Sequence, residues 1–350
     1  MDDGSRAMGV AVGGSGREVR LVEVPEGLPE ERHLTVAEVP VPVPGPGEVL
    51  VRNRHFMVFA ALRTLMGGTV RDAPLPPLLA GDTLFGPAIG EVVAASDAEG
   101  PQPGEQVLHM LGWREYAVVA REACVRLDGT LPDPVAHLNQ GTAAYGALTR
   151  LAAIRPGDTV LVTGAAGAVG SLAGQIARLL GAGRVIGTTG SARKGERLVA
   201  EVGYDAAVLR GGDGPGSFAE RLAGAAPDGV DVLLDNVGGE QLAAAVGAAR
   251  QGARFALVGA LSGQLAAGGG GGAPVAVDSY RLILKGVSLR GYAGTDHPEM
   301  GQEWTARFGE WLRSGAIRFP HTRIAGIDEA PRAFTDMVRG RHFGTVIVDV

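Results

Sequence analysis

Val160-Leu161-Val162, followed by Thr163-Gly164-Ala165-Ala166-Gly167-Ala168-Val169-Gly170, is the stretch that decides the fold. A short apolar run rich in β-branched residues reads as a strand buried on both faces. The residues after it carry almost no side-chain bulk, as a tight turn requires. From Ser171 a helix is expected, with Leu172, Ile176, Leu179 and Leu180 on one stripe and an end near Gly181. A second strand follows, Arg184 to Thr188. Strand, small-residue turn, helix and strand make one βαβ unit, whose first turn seats a dinucleotide pyrophosphate. Gly167 lets the backbone approach the phosphates, and Gly170 lets the helix close on the strand. The free amides at the helix start, around Ala168 and Val169, face the negative charge. Ala165 stands where the first glycine of G-x-G-x-x-G is usual, so context carries the assignment against a merely tight turn.

The second strand tells which dinucleotide. An NAD site places Asp or Glu about 20 residues beyond the glycines, to hold the ribose hydroxyls. Here the strand ends Gly187-Thr188-Thr189-Gly190-Ser191 without an acid, and Arg193-Lys194 follow. Hydroxyls on Thr189 and Ser191 with two cations suit a 2′-phosphate, which points to NADPH. The other reading is a solvated start to the next helix.

Composition narrows the classes. A chain of 350 residues has material for two cores. Net charge −6, with Lys and Arg scattered, gives no basic field for nucleic acid. No run approaches the ~20 apolar residues of a membrane span. The acidic start, Met1-Asp2-Asp3-Gly4, is unlike a signal peptide. Cys124 is the only cysteine, so no internal disulfide can form and a reducing cytoplasm is expected.

Along the chain the grammar changes once. Residues 1–18 are Gly-rich and expected to fray. Arg20 to Val51 alternates, punctuated by Pro40, Pro42, Pro44 and Pro46, as antiparallel sheet with proline-guarded edges does. Strands are expected over 86–93 and 112–119. Asn139 to Ala153 reads as a helix, after which strand and helix alternate, with strands over 230–234 and 253–258. Turns after 162, 188, 234 and 258 should line one crevice, which brings in Asn236, Val258 and Gly259. The glycine run within 266–273 reads as an inert insertion or a mobile lid. A helix over 330–337 and a last strand over 344–348 should rejoin the first body. The domains expected are therefore 1–137 with 314–350, and 138–313.

This layout resembles the medium-chain dehydrogenase/reductase superfamily over roughly residues 20–350. Gly112-Trp113-Arg114-Glu115-Tyr116-Ala117, the turn 164–171, Gly190-Ser191-Ala192-Arg193-Lys194 and Asp235-Asn236-Val237-Gly238-Gly239 look like its zinc-independent branch of prostaglandin, alkenal double-bond and curcumin reductases. The resemblance implies an α/β fold: a Rossmann-type doubly wound parallel sheet domain, and a β-rich GroES-like domain completed by the C-terminus. It also implies NADPH, a homodimer, and reduction of a carbon–carbon double bond conjugated to a carbonyl. Lys194 falls on the family's 2′-phosphate lysine, Tyr145 on a tyrosine beside the cofactor, and Arg210 replaces a tyrosine near the 2′-phosphate. Zinc-dependent relatives carry Gly-His-Glu where this chain has Gly86-Pro87-Ala88-Ile89-Gly90-Glu91, so no metal is expected.

The departures concern the substrate. Phe59-Ala60-Ala61 stands in place of Asp-Pro-Tyr, Leu284 in place of a tyrosine that reaches the nicotinamide ribose, and His342-Phe343-Gly344-Thr345 in place of Asn-x-Gly-Lys. An apolar pocket follows, with His342 and Gly344 on its cofactor side. Hydride addition to an enone leaves negative charge on the carbonyl oxygen, which needs a donor; Tyr280, Tyr292 and His55 are the candidates. Trp113 and Trp304 read as core. The leading expectation is an NADPH-dependent ene-reductase for an apolar enone, such as a polyketide-type intermediate of secondary metabolism. A reductive cyclase, a quinone reductase (hinted at by Arg341-His342-x-Gly344) and a non-enzymatic NADPH-binding protein remain as alternatives.

Overall fold

The computed structural model describes residues 13–68, 75–211, 216–266 and 272–350. Residues 267–271 of the glycine loop lie outside this range, and with them the choice between insertion and lid.

Val160, Leu161 and Val162 are each fully buried. Val160 and Val162 pack with Leu172 and Ile176 on one face, while Leu161 joins Ile186 and Leu233 on the other. Successive strand residues point to opposite faces, so an unbroken apolar run is what a sheet covered on both sides demands. Six parallel strands form this sheet: 159–162, 184–189, 206–209, 230–235, 249–257 and 288–291. Counted in chain order they lie third, second, first, fourth, fifth, sixth. That is the dinucleotide-binding order, with its switch point between the first and fourth strands.

The second body is a seven-stranded sheet centred on Glu48–Val58. The last strand, Thr345–Asp349, runs antiparallel to Glu48–Val58, so the C-terminus completes this sheet. The helix Ala330–Val338 brings Phe334 onto Trp113, edge to face with ring centroids 6.0 Å apart, and Phe56 covers the indole at 5.1 Å. Trp113 and Trp304 are both buried core residues.

Three local expectations are corrected. The Gly-rich start is ordered from Ser15, because Ser15–Leu21 pairs antiparallel with Leu34–Pro40 and buries Val19 and Leu21. The helix after the turn begins at Ala168 rather than Ser171, since small residues fill its first turn. The helix expected over 139–153 is instead an α-helix at Gly141–Gly146 continued by a π-turn at Ala147–Leu151. Thr149 donates its hydroxyl to the Tyr145 carbonyl at 2.6 Å, and this back-bonding competes with the regular ladder.

Candidate active site

The glycine turn is built by close approach. A Cβ on Gly170 would lie 2.5 Å from both the Ala165 Cα and the Gly164 carbonyl oxygen, so only glycine lets the helix meet the turn. Gly164 takes φ +60°, the left-handed region. Ala165 is tolerated for a different reason. Its methyl is buried and points at Gly187, where an added Cβ would sit only 2.7 Å away. The amides of Gly164 and Ala165 are tied to Thr188, at its hydroxyl (3.0 Å) and its carbonyl (2.9 Å). Gly167 caps the helix Ala168–Leu179 without a side chain, leaving the first helical amides to an anion.

Across the switch point, buried Asp235 accepts from the Thr163 hydroxyl at 2.5 Å and from the amides of Val237 and Gly238 at 3.1 Å. This fixes the turn that presents Asn236. The Asn236 side chain then donates to the Thr163 carbonyl at 2.8 Å, closing the gap between the two strand ends.

A cleft of about 530 Å³ runs over these turns. It brings together Gly164, Gly167, Ala168, Val169, Gly170, Thr189, Ser191, Lys194, Arg210, Asn236, Val258, Gly259, His342 and Gly344 from among the expected residues. Ser191 caps the next helix by accepting from the Lys194 amide, and that starts the turn which carries the lysine into the cleft. Lys194 is half-buried and donates from Nζ to the Gly340 carbonyl. Burial first, then Arg210 and Arg197, pull its ammonium below the ordinary lysine value. Arg210 lies over Gly190, where a Cβ would be 3.1 Å from its Nε. The two cations thus face one rim of the cleft with no carboxylate among its lining residues.

Other expected residues lie elsewhere. Ala165 is beneath the turn rather than on the wall. Arg193, next to Lys194 on the helix, points about 100° away and is exposed, and Arg210 rather than Arg193 lines the cleft with Lys194. Tyr145 turns to the helix Met300–Arg313: its hydroxyl donates to Glu303 at 2.8 Å and its ring packs on Trp304. Tyr280 stands 67% exposed on the short helix Ser279–Lys285, outside the cleft. Tyr292 is turned inward over Gly146 and stacks on His297 at 5.7 Å. His55 is tied by Nδ1 to Asp349 at 2.8 Å, beside Arg323, on the pair of strands joining the chain's two ends. None of the three proposed donors reaches the cleft.

Amides that sequence reasoning missed line it instead. Gln241 is engaged by the Thr188 hydroxyl at 2.5 Å. Gln140 and Gln264 have side chains with no hydrogen-bond partner among the described residues. Gln264 ends the helical turn just after the 249–257 strand, so its place beyond a strand's carboxyl end was the available signal. Phe59, Leu261, Leu265, Met337, Val338 and Val346 complete an apolar wall. Cys124 is remote and only partly buried, with its thiol pushed up to about 11 by burial and by Glu122.

Two family models match this chain: the N-terminal domain of oxidoreductase over residues 17–127, and zinc-binding dehydrogenase over 168–310. Among the described residues no three of His, Cys, Asp or Glu are grouped to hold a metal ion, so they do not fit a catalytic zinc. Prostaglandin reductase 1 of Rattus norvegicus is 30% identical over 335 residues, covering 92% of this chain and 95% of its own. The NADPH-dependent curcumin reductase of Escherichia coli is 29% identical over 342 residues, 94% of this chain and 95% of its own. The crystal structure of CurA from Vibrio vulnificus in complex with NADPH matches with a TM-score of 0.85 at 29% identity, covering 95% of this chain and 99% of that one. Fold, glycine turn and relatives agree, and the chain belongs to the zinc-independent medium-chain dehydrogenase/reductase family, in the branch of the curcumin and prostaglandin reductases.

Proposed function

We propose that this chain is an NADPH-dependent reductase that saturates the carbon–carbon double bond of an apolar α,β-unsaturated carbonyl compound. One observation carries the reading: a single cleft joins a side-chain-free anion turn, a two-cation rim and an apolar wall. The cofactor fits the residues present. Gly167 leaves the turn without a side chain for the diphosphate, Gly170 lets the helix close on that turn, Lys194 and Arg210 suit the 2′-phosphate, and Asn236, Val258 and Gly259 floor the path to the apolar wall. When bound, reduced nicotinamide supplies the hydride.

The chain's own residues do the remaining work. The apolar wall around Phe59 and Leu265 excludes water and holds the acceptor carbon at reacting distance, about 3–3.5 Å. The carbonyl oxygen, which gains charge, needs a hydrogen-bond donor. Asn236 gives one N–H to the Thr163 carbonyl and Gln241 uses its carbonyl oxygen on Thr188, whereas the Gln140 and Gln264 amides have no hydrogen-bond partner among the described residues, and these two are the donors proposed. An amide donates a hydrogen bond but no proton, so solvent protonates the carbon. Phe59 in place of a polar neighbour suits a bulky substrate such as a polyketide-type intermediate.

The active unit proposed is a cytoplasmic homodimer with domains at 1–137 plus 314–350 and at 138–313. Support for the dimer is the outer edge of the strand Ser288–Gly291, unpaired among the described residues, with Tyr280, Ile283 and Leu284 67%, 75% and 57% exposed on the helix that precedes it in the chain. An open edge with exposed apolar residues is a surface for a second copy. Among the described residues no helix is long and apolar enough to cross a membrane.

The test is turnover of an enone panel with NADPH, products read by mass spectrometry and NMR. Saturated ketones formed with loss of NADPH support the reading. Cofactor binding without oxidation, or quinone turnover far above enone turnover, overturns it. A ring-closed product assigns the cyclase variant of the same hydride addition.

A further inference from the structure

The segment from Arg339 to Thr345 straps the two bodies together across the cleft. At one end the Gly340 carbonyl accepts from Lys194 Nζ. At the other, the Gly344 amide donates to the Ala166 carbonyl at 2.9 Å, and Gly344 bridges Gly167. Gly344 takes φ +75°, and a Cβ there would strike the Pro320 carbonyl oxygen at 2.1 Å, so the strap's path is fixed. His342 sits between these two stitches and lines the cleft. Its Nε2 is buried and has no hydrogen-bond partner among the described residues. A buried ring nitrogen left unpaired is costly, and each one calls for an explanation such as a water, an ion or a ligand group.

The charges around this ring favour an anion. Lys194 from the neighbouring helix and Arg341 from the strap itself act on it, against the single carboxylate of Asp336, which is held by Arg341 at 2.6 Å. Arg210 bears on Lys194 from the adjoining strand end, Arg197 lies over Phe343 at 4.1 Å, and Arg339 lines the same wall. We infer that His342 is a third ligand of the 2′-phosphate and takes up a proton as NADPH binds.

The inference rests on the NADPH reading. Burial foremost, with Lys194 and Arg341 acting the same way and Asp336 opposing, holds the empty-site imidazole below its ordinary value, so it is neutral near pH 7. A phosphate dianion at hydrogen-bond distance favours the charged ring and raises that value. The bound state then holds more protons than the free one. Affinity for NADPH therefore strengthens as pH falls between the two values, by at most about tenfold per pH unit for one proton. NADH, lacking the phosphoryl group, gains nothing from the ring.

The experiment is calorimetric titration of the full chain with NADPH and with NADH at pH 7, in buffers of different ionisation enthalpy. It is run on the native protein and on His342→Asn and His342→Gln. Subtracting variant from native removes the ligand's own titration, whose second phosphate step lies near pH 6. The expected result is a larger proton uptake with NADPH in the native protein than in either variant, with no such difference for NADH. Equal uptake in all three proteins overturns the inference while leaving the cofactor reading intact. Equal uptake with both cofactors in the native protein also overturns it, since the ring would then not sense the 2′-phosphate. Absence of NADPH binding by the native protein overturns the cofactor reading and this inference together.

Discussion

Replacing Lys194 by alanine removes the half-buried cation at the rim of the cleft, and its consequence can be sized. Nζ is already desolvated enough for its ammonium to be weakened by burial and by Arg210 and Arg197. A phosphate beside it relieves that repulsion and exchanges the Gly340 carbonyl for a charged acceptor. Hydrogen bonds to charged groups contribute about 1.5–3 kcal/mol. Because the lysine is only half-buried and Arg210 at the exposed rim shares the load, the lower part of that range applies, ~1.5–2 kcal/mol. At 1.4 kcal/mol per decade this weakens NADPH about 10- to 30-fold. NADH affinity should stay within about twofold, since NADH presents nothing to the cation. Fluorescence titration of both cofactors against native and Lys194→Ala protein makes the measurement. An unchanged NADPH dissociation constant, or an equal loss for NADH, refutes the reasoning.

Other outcomes follow from the same geometry. Arg193→Ala should leave both cofactors within about twofold in the same titration, because its side chain is exposed outside the cleft. Gly170→Ala drives a Cβ to 2.5 Å from the Ala165 backbone and should destabilise by about 1–3 kcal/mol, read as a lower Tm with weakened cofactor binding. Gln264→Leu should cut kcat/KM for an enone by as much as the ~10²–10³-fold seen on removing an oxyanion donor, with NADPH affinity unchanged; if Gln140 is the donor, Gln140→Leu shows that loss instead. Tyr280→Phe should leave kcat within about twofold, as its ring stands outside the cleft. With its thiol near 11, Cys124 should alkylate slowly at pH 7.5 and faster as pH rises.

How much of this was legible in the sequence depended on whether local pattern or tertiary packing made the choice. Val160-Leu161-Val162 announces itself, because a strand covered on both faces must be apolar throughout. The turn was readable despite Ala165, and the reason it is tolerated lies one strand away, in the missing side chain of Gly187. Lys194 was placed by its distance from the glycines, but helix phase then turned Arg193 outward. Tyr145 and Tyr292 could not be oriented from sequence. Each faces a partner distant along the chain, Glu303 for one and Gly146 for the other. Gln140 and Gln264 carried no motif at all, and only the cleft singles them out.

A crystal structure of the protein with NADPH tests the central claim most directly. The diphosphate is predicted on the amides of 168–170, the 2′-phosphate bonded to Lys194 and Arg210, and the nicotinamide against the wall of Phe59 and Leu265. A diphosphate bound away from the glycine turn, or a 2′-phosphate facing solvent with Lys194 still on Gly340, would contradict it.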